Sequence, residues 1–261
     1  MKLKSLLVGI AGGSASGLTG IGGGTVLVPL LTGTLKMPQR QAHATSLAIV
    51  ISVGIAAVIP YLREGHVQGA LVLALGGGAI LGAQIGARTM HNLPDVWLRL
   101  IFACFLFLVG IRMITMVSPD AISDSQLQFL SKETILALVI GLTGGAFGGL
   151  LGIGGGTLFV PALVLLLSLN QLDAQGVSLI VVVLTAISGT ITNVRAGFVD
   201  KPTVIWVAPS AIVVGFLAGL LAQNLDETML TRLFGLVVLY VGGKTILSTA
   251  RTLRSARELA E

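Results

Sequence analysis

Eight stretches of this chain are apolar for about the length of a bilayer crossing: residues 5–35, 43–62, 69–90, 97–117, 134–169, 175–193, 203–222 and 229–248. A helical crossing needs ~20 such residues. The chain is 54% hydrophobic and 10% charged, whereas soluble domains carry about a quarter charged residues. A water-facing surface cannot be assembled from that composition. The expected fold class is an all-α integral membrane protein.

The stretches repeat. Sliding the chain by 132 residues lays Gly20–Pro29 (GIGGGTVLVP) on Gly152–Pro161 (GIGGGTLFVP), Ser46-Leu47 on Ser178-Leu179, Arg63 on Arg195 and Gly65 on Gly197. Two homologous four-segment repeats are therefore expected, residues 1–117 and 133–261. Between them, 118–132 is a polar linker with Pro119, Asp120 and Asp124. The second repeat ends in a basic tail containing Arg251, Arg254 and Arg257. Duplicated halves enclosing a midplane site are a signature of secondary transporters.

The first segment of each repeat is too long and too broken for one upright helix. At ~1.5 Å per residue, 5–35 and 134–169 would run roughly 45 to 55 Å against a ~30 Å hydrocarbon core. Three consecutive glycines interrupt each, Gly22–Gly24 and Gly154–Gly156, at about 1 kcal/mol each relative to alanine in a helix. Pro29 and Pro161 then remove a further donor. Unwound backbone at membrane depth is tolerated only where protein or a wet cavity covers it. Matching interruptions in two halves are the strongest sequence pointer to a transporter's site.

The chemistry expected at such a break is anion binding. A half-helix starting near Thr25 or Thr157 aims unpaired N–H groups and the positive end of its dipole at the break. Gly22, Gly23, Gly24, Gly154, Gly155 and Gly156 permit close approach, and the two threonines add hydroxyls. Gly9, Gly13 and Gly17, and Gly78, Gly82 and Gly86, are spaced instead for close helix packing. Thr45 and Ser46, and Gln175 and Ser178, open the next segment of each repeat and serve either as site groups or as N-caps. Gln84 is expected to hydrogen-bond between helices. Arg63 and Arg195 either draw an anion to a cavity mouth or snorkel at the interface. His43, His66 and His91 read as solvated loop residues at segment ends.

Other chemistries are not supported. The net charge of +5 resides in scattered cations rather than a basic face, so nucleic acid is not an expected partner. Cys104 is the only cysteine, which removes disulfides and thiolate metal clusters. Gly242-Gly243-Lys244-Thr245 imitates the end of a phosphate-binding loop, but Val238 stands where the earlier glycine is required. Ser14 and Ser16 lack a mid-segment histidine base, so an intramembrane protease is not expected. Lys2 and Lys4 before an apolar run resemble a signal peptide, yet the same segment type recurs internally from Leu136. No enzyme activity, cofactor or metal is expected. A permease and an anion channel both remain open.

The two motifs GLTGIGGGTVLVP and GLLGIGGGTLFVP, each followed by a Ser-Leu patch (HATSL and QGVSL), resemble the sulfite exporter TauE/SafE family of membrane permeases. The resemblance covers about Leu6 to Leu247. It implies export or uptake of small sulfur-containing or organic anions without ATP. The expected setting is a bacterial-type inner membrane, with H+ as a candidate coupling ion. It carries the Gly-rich motif onto Gly20, Gly22, Gly23, Gly24 and Pro29 and onto Gly152, Gly154, Gly155, Gly156 and Pro161, and the patches onto Ser46 and Ser178. The family's Gly-Thr-Ser-Leu reads here as Ala44-Thr45-Ser46-Leu47 and Gly176-Val177-Ser178-Leu179, so the two halves need not contribute equally.

Topology turns on the break. If the first segments cross once, the halves are parallel. If they fold back, each half crosses three times and the halves are inverted. The Lys and Arg distribution favours a cytoplasmic C-terminus in either threading. The excess length of both segments, and the symmetry that alternating access needs, favour the inverted arrangement.

Overall fold

A computed structural model describes residues 2–89, 95–115, 132–151 and 154–258. Of the expected linker 118–132, residues 118–131 lie outside them, as do the motif residues Gly152 and Ile153; Lys132 already begins a helix. Among the described residues the regular structure is ten α-helices: α1 (Lys2–Thr19), α2 (Gly24–Thr34), α3 (Gln39–Arg63), α4 (Gly69–Thr89), α5 (Asp95–Thr115), α6 (Lys132–Leu151), α7 (Gly156–Leu167), α8 (Gln171–Arg195), α9 (Lys201–Gln223) and α10 (Glu227–Glu258). Each long segment is thus two helices. Four helices, Gln39–Arg63, Gln171–Arg195, Lys201–Gln223 and Glu227–Leu247, are long and apolar enough to cross a membrane by these measures among the described residues. The protein is a multi-pass membrane protein. Leu73, Leu108, Ile205 and Tyr240 are each about two-thirds exposed, as lipid-facing residues are.

The glycine breaks reverse the chain. Gly22 and Gly23 take φ of 81° and 75°, and Gly154 and Gly155 take 81° and 82°, a left-handed conformation that glycine enters without a Cβ clash. Beyond the turn, α2 lies back along α1: a methyl built at Gly12 would fall 2.4 Å from Leu27 Cδ2. In a continuous helix those residues would be ~22 Å apart. Likewise, a methyl at Gly144 would fall 2.6 Å from Phe159 Cε1, so α7 folds back on α6. The short arms end alike as well. Lys36 and Ser168 are both left-handed, with φ of 54° and 52°. The following amides, Met37 and Leu169, donate to Leu31 and Leu163 at 3.2 and 3.3 Å.

The stripes of small residues seat the hairpins. Methyls at Gly13 and Gly17 would meet the carbonyls of Ala211 and Gly215 at 2.6 and 2.3 Å, and methyls at Gly78 and Gly82 those of Leu138 and Leu142 at 2.3 and 2.0 Å. Contacts therefore advance in the same direction on α1 with α9 and on α4 with α6. The central pair runs the other way. Leu47 meets Gly189 while Gly54 meets Val183, so α3 and α8 cross antiparallel. Similarly, Gly110 meets Gly235 while Gly242 meets Ala103, which makes α5 and α10 antiparallel.

Several expectations change. α3 and α8 start at Gln39 and Gln171, so Thr45, Ser46, Gln175 and Ser178 lie inside helices and are not N-caps; Asn170 caps α8 by accepting from the Asp173 amide at 2.7 Å. Gln84 is exposed. The basic tail continues α10 as helix to Glu258. His66 is not a free loop residue: its Nδ1 is 2.7 Å from Asp173 Oδ1.

Candidate functional site where two helix hairpins meet

Each short helix begins at its break. Gly23 and Gly155 are the left-handed N-cap residues of α2 and α7, and neither helix has a side-chain cap. The amides of Val26 and Leu27 donate back to the Gly23 carbonyl at 3.0 and 2.8 Å, and those of Leu158 and Phe159 to Gly155 at 2.9 and 3.2 Å. The N–H groups of Gly24 and Thr25, and of Gly156 and Thr157, come first in their helices and have no intrahelical acceptor. Each helix start carries roughly half a positive charge from the aligned peptide dipoles.

The two starts meet. A methyl built at Gly156 would lie 2.4 Å from the Ile21 carbonyl oxygen and 2.8 Å from Val182 Cγ2. At Gly22 it would lie 2.4 Å from Val182 Cγ1 and 3.3 Å from Val50 Cγ1. Val50 and Val182 stand beside the middle residues of α3 and α8, and both are fully buried. The hairpin tips therefore touch halfway along the two antiparallel central helices.

Hydroxyls surround this point. Thr25 and Thr157 are 4% and 1% exposed and Ser16 is fully buried, and their hydroxyls have no partner among the described residues. Burying an unpaired hydroxyl costs on the order of 1–3 kcal/mol, and here Thr25 and Thr157 carry that cost at positions 132 residues apart. Other polar groups brace the turns. Ser178 Oγ donates to the Gly20 carbonyl at 3.0 Å, and Thr185 Oγ1 shares its proton between the Val182 carbonyl of its own helix at 2.9 Å and the Gly154 carbonyl at 3.1 Å. Tyr61 Oη lies 2.7 Å from both the Gly17 carbonyl and Gln175 Oε1. A phenol has one proton to give, so a Gln175 amide turned end for end, with Nε2 donating to Tyr61, satisfies all three groups.

The structure brings Gly22, Gly154 and Gly156 together around Val182, with Gly156 against Ile21, while Gly23 and Gly155 face back onto Gly12 and Gly144 of their own hairpins. Gly24, Thr25 and Thr157 open the short helices beside them, and Ser178 is set against the first turn. Ser46 is buried, but its Oγ donates within its own helix to the His43 carbonyl at 3.1 Å. Thr45 faces the loop before α9 and accepts from the Asp200 amide at 3.0 Å. Arg63 and Arg195 end α3 and α8, ~20 Å along the helix from Val50 and Val182, and do not reach the tips. Arg63 instead lines a cavity of about 300 Å³ with Glu64, His66, Gln223 and Asn224. Sequence reasoning missed Ser16, Thr185 and Tyr61. For Ser16 and Thr185 the available signal was a hydroxyl inside an apolar segment.

Residues 1–113 and 136–260 match the sequence profile described as Sulfite exporter TauE/SafE. The chain is similar to a probable membrane transporter protein of Xylella fastidiosa (strain 9a5c), with 31% identity over 92% of this chain and 95% of the relative. It is also similar to the probable membrane transporter protein YunE of Bacillus subtilis (strain 168), with 23% identity over 92% and 96% of the two chains. A probable membrane transporter protein of Haemophilus influenzae (strain ATCC 51907 / DSM 11121 / KW20 / Rd) is 30% identical over 75% of each. With matching sequence in both halves and a pair of glycine-broken hairpins meeting at their tips, this multi-pass membrane protein belongs to the sulfite exporter TauE/SafE family of membrane transporters.

Proposed function

We propose that this chain is a secondary permease for small anions, namely sulfite, organosulfonates or related sulfur and carboxylate anions, working by alternating access without ATP. The observation that carries this reading is the meeting of two uncapped helix starts, bordered by buried hydroxyls without partners. Backbone N–H groups and a helix dipole suit an oxyanion, and no arginine is needed beside it. The family description supports sulfite as a member of that substrate class, and the positive ends of the two short helices support a negative charge.

Alternating access needs two halves that exchange roles. Several observations support inverted repeats. The left-handed glycines recur 132 residues apart, hairpins open both halves, and the equivalent helices α3 and α8 cross antiparallel, as do α5 and α10. With α1–α2 and α6–α7 as re-entrant hairpins, each half crosses three times, an odd number that inverts the second half. The proposed setting is a bacterial-type inner membrane with the C-terminus cytoplasmic. Tips packed against Val50 and Val182 leave a closed centre, so passage requires the hairpins to part. That favours a gated carrier over an open pore.

Uptake of labelled sulfite, thiosulfate, sulfoacetate, taurine and carboxylates into proteoliposomes, with and without a pH gradient, tests the reading. Saturable flux of one anion, lost in Gly23→Val and Gly155→Val protein that still inserts, is expected. Flux that does not saturate and ignores the proton gradient would assign a channel, and no anion flux at all would overturn the proposal.

A further inference from the structure

Two loops, 132 residues apart in sequence, close the ends of α3 and α8 in the same way. Gly65 and Gly197 are left-handed with φ of 81° and 73°. The next amides, His66 and Phe198, donate to the carbonyls of Tyr61 and Asn193 at 2.8 and 3.0 Å. Each loop then rests on the start of the central helix from the other half. Here the equivalence ends. Phe198 stacks under the Arg40 guanidinium of α3, 4.8 Å from the ring centroid. His66 pairs instead with Asp173 in the first turn of α8, Nδ1 to Oδ1 at 2.7 Å, with side chains 24% and 18% exposed.

The two contacts differ in the groups that make them. An arginine over a phenyl ring keeps its charge at every physiological pH, and the second bond of that loop, from the Asp200 amide to Thr45 Oγ1, carries no titratable hydrogen. Imidazole is the side chain suited to change charge in the physiological range. We infer that His66 and Asp173 form a proton-operated latch between the two halves, on one face of the protein only. This rests on the alternating-access reading above. With His66 protonated, the contact is a charge-assisted pair that holds the α3–α4 loop on the start of α8 and keeps that face closed. With His66 neutral, a single hydrogen bond remains and the face opens more readily.

The surroundings suit a latch. Asp173 is held in place: its Oδ2 accepts from Asn170 Nδ2 at 2.9 Å and its amide donates to Asn170 Oδ1 at 2.7 Å. The His66 carbonyl packs on the same helix, 2.2 Å from where a methyl at Gly176 would sit. Facing the imidazole from α3 are Arg63 and Glu64, which share its cavity; from α9 come Gln223 and Asn224, which do not titrate. In the first turn of α10, Glu227 accepts the Gln171 amide at 2.8 Å, tying α10 to α8. Gln223 presents a buried amide with neither end partnered among the described residues, a polar lining for the space that the latch closes. In the inverted topology this face is the non-cytoplasmic one, so external pH is what the latch reads.

Full-length protein in nanodiscs, with Cys104→Ser and spin labels on Gly69→Cys and Met229→Cys, reports the gap directly. Gly69 has nothing within 4 Å of an added methyl, and Met229 is 51% exposed. The expected distance distribution is short at pH 5.5, with a longer population appearing at pH 8. In His66→Phe, which copies Phe198, and in Asp173→Asn, the distribution should be the same at both pH values. An unchanged wild-type distribution, or a pH shift that persists in both variants, overturns the latch. In proteoliposomes, external pH should alter wild-type flux several-fold more than flux by His66→Phe; equal pH responses would also overturn it. If no protein moves any anion, the permease reading fails, while the distances still decide whether the latch exists.

Discussion

Gly156, the first residue of α7, lies against the carbonyl of Ile21 at the tip of the other hairpin, and a methyl at Gly156 would stand 2.4 Å from that oxygen. Residues 135 positions apart thus join the two halves at one backbone contact. An anion held between the helix starts has to enter where these backbones touch.

A methyl at this contact acts as a wedge. Gly156→Ala is expected to cost about 1–3 kcal/mol through overpacking and to remove at least nine-tenths of transport. Thermal unfolding in detergent and flux in proteoliposomes measure the two effects separately. Wild-type flux from Gly156→Ala protein would mean that the tips do not work as a pair.

Thr25→Val and Thr157→Val separate binding from folding. Each removes a buried hydroxyl with no partner among the described residues, so stability should hold or rise slightly, since a near-isosteric apolar group replaces an unpaired polar one. Anion affinity should fall about tenfold if the hydroxyl contributes roughly 1.4 kcal/mol to binding. A drop in melting temperature with unchanged half-saturation would assign the threonines to structure.

Much of this was legible in the sequence because its causes are local. Apolar length gives helices, three successive glycines give a turn, and the 132-residue offset pairs Gly22 with Gly154 and Thr25 with Thr157. Helix starts at Gly24 and Gly156 fall one residue from those expected. What stayed hidden depends on which segments pack together. Tyr61 and Gln175 are 114 residues apart and His66 and Asp173 are 107 apart, and no periodicity links them. Ser46 and Ser178 look alike in sequence, yet one hydroxyl bonds within its own helix and the other braces the opposite half's turn.

Tyr61→Phe tests that bracing. Losing the hydroxyl leaves the Gly17 carbonyl and the Gln175 amide without this partner, and the expected cost is about 1–3 kcal/mol. A lower melting temperature, with half-saturation for the anion within about twofold of wild type, is the expected outcome. An unchanged melting temperature would show that the bond does not hold the first hairpin.

The inverted topology makes a paired prediction. Cysteines replacing Lys36 and Ser168, equivalent left-handed residues ending α2 and α7, should react with an impermeant maleimide from opposite sides in a Cys104→Ser background. Lys36→Cys should react from the cytoplasmic side and Ser168→Cys from outside. Reaction of both from one side would assign parallel halves.

The most direct test of the anion site is to see where an anion lies. Selenite matches sulfite in shape and charge, and its selenium gives an anomalous signal in crystals of the soaked protein. The expected peak lies between the first amides of α2 and α7, within hydrogen-bond reach of Gly24, Thr25, Gly156 or Thr157, and is displaced by excess sulfite. A sulfite-displaceable peak beside Arg63, with none at the hairpin tips in protein that transports sulfite, would contradict this account.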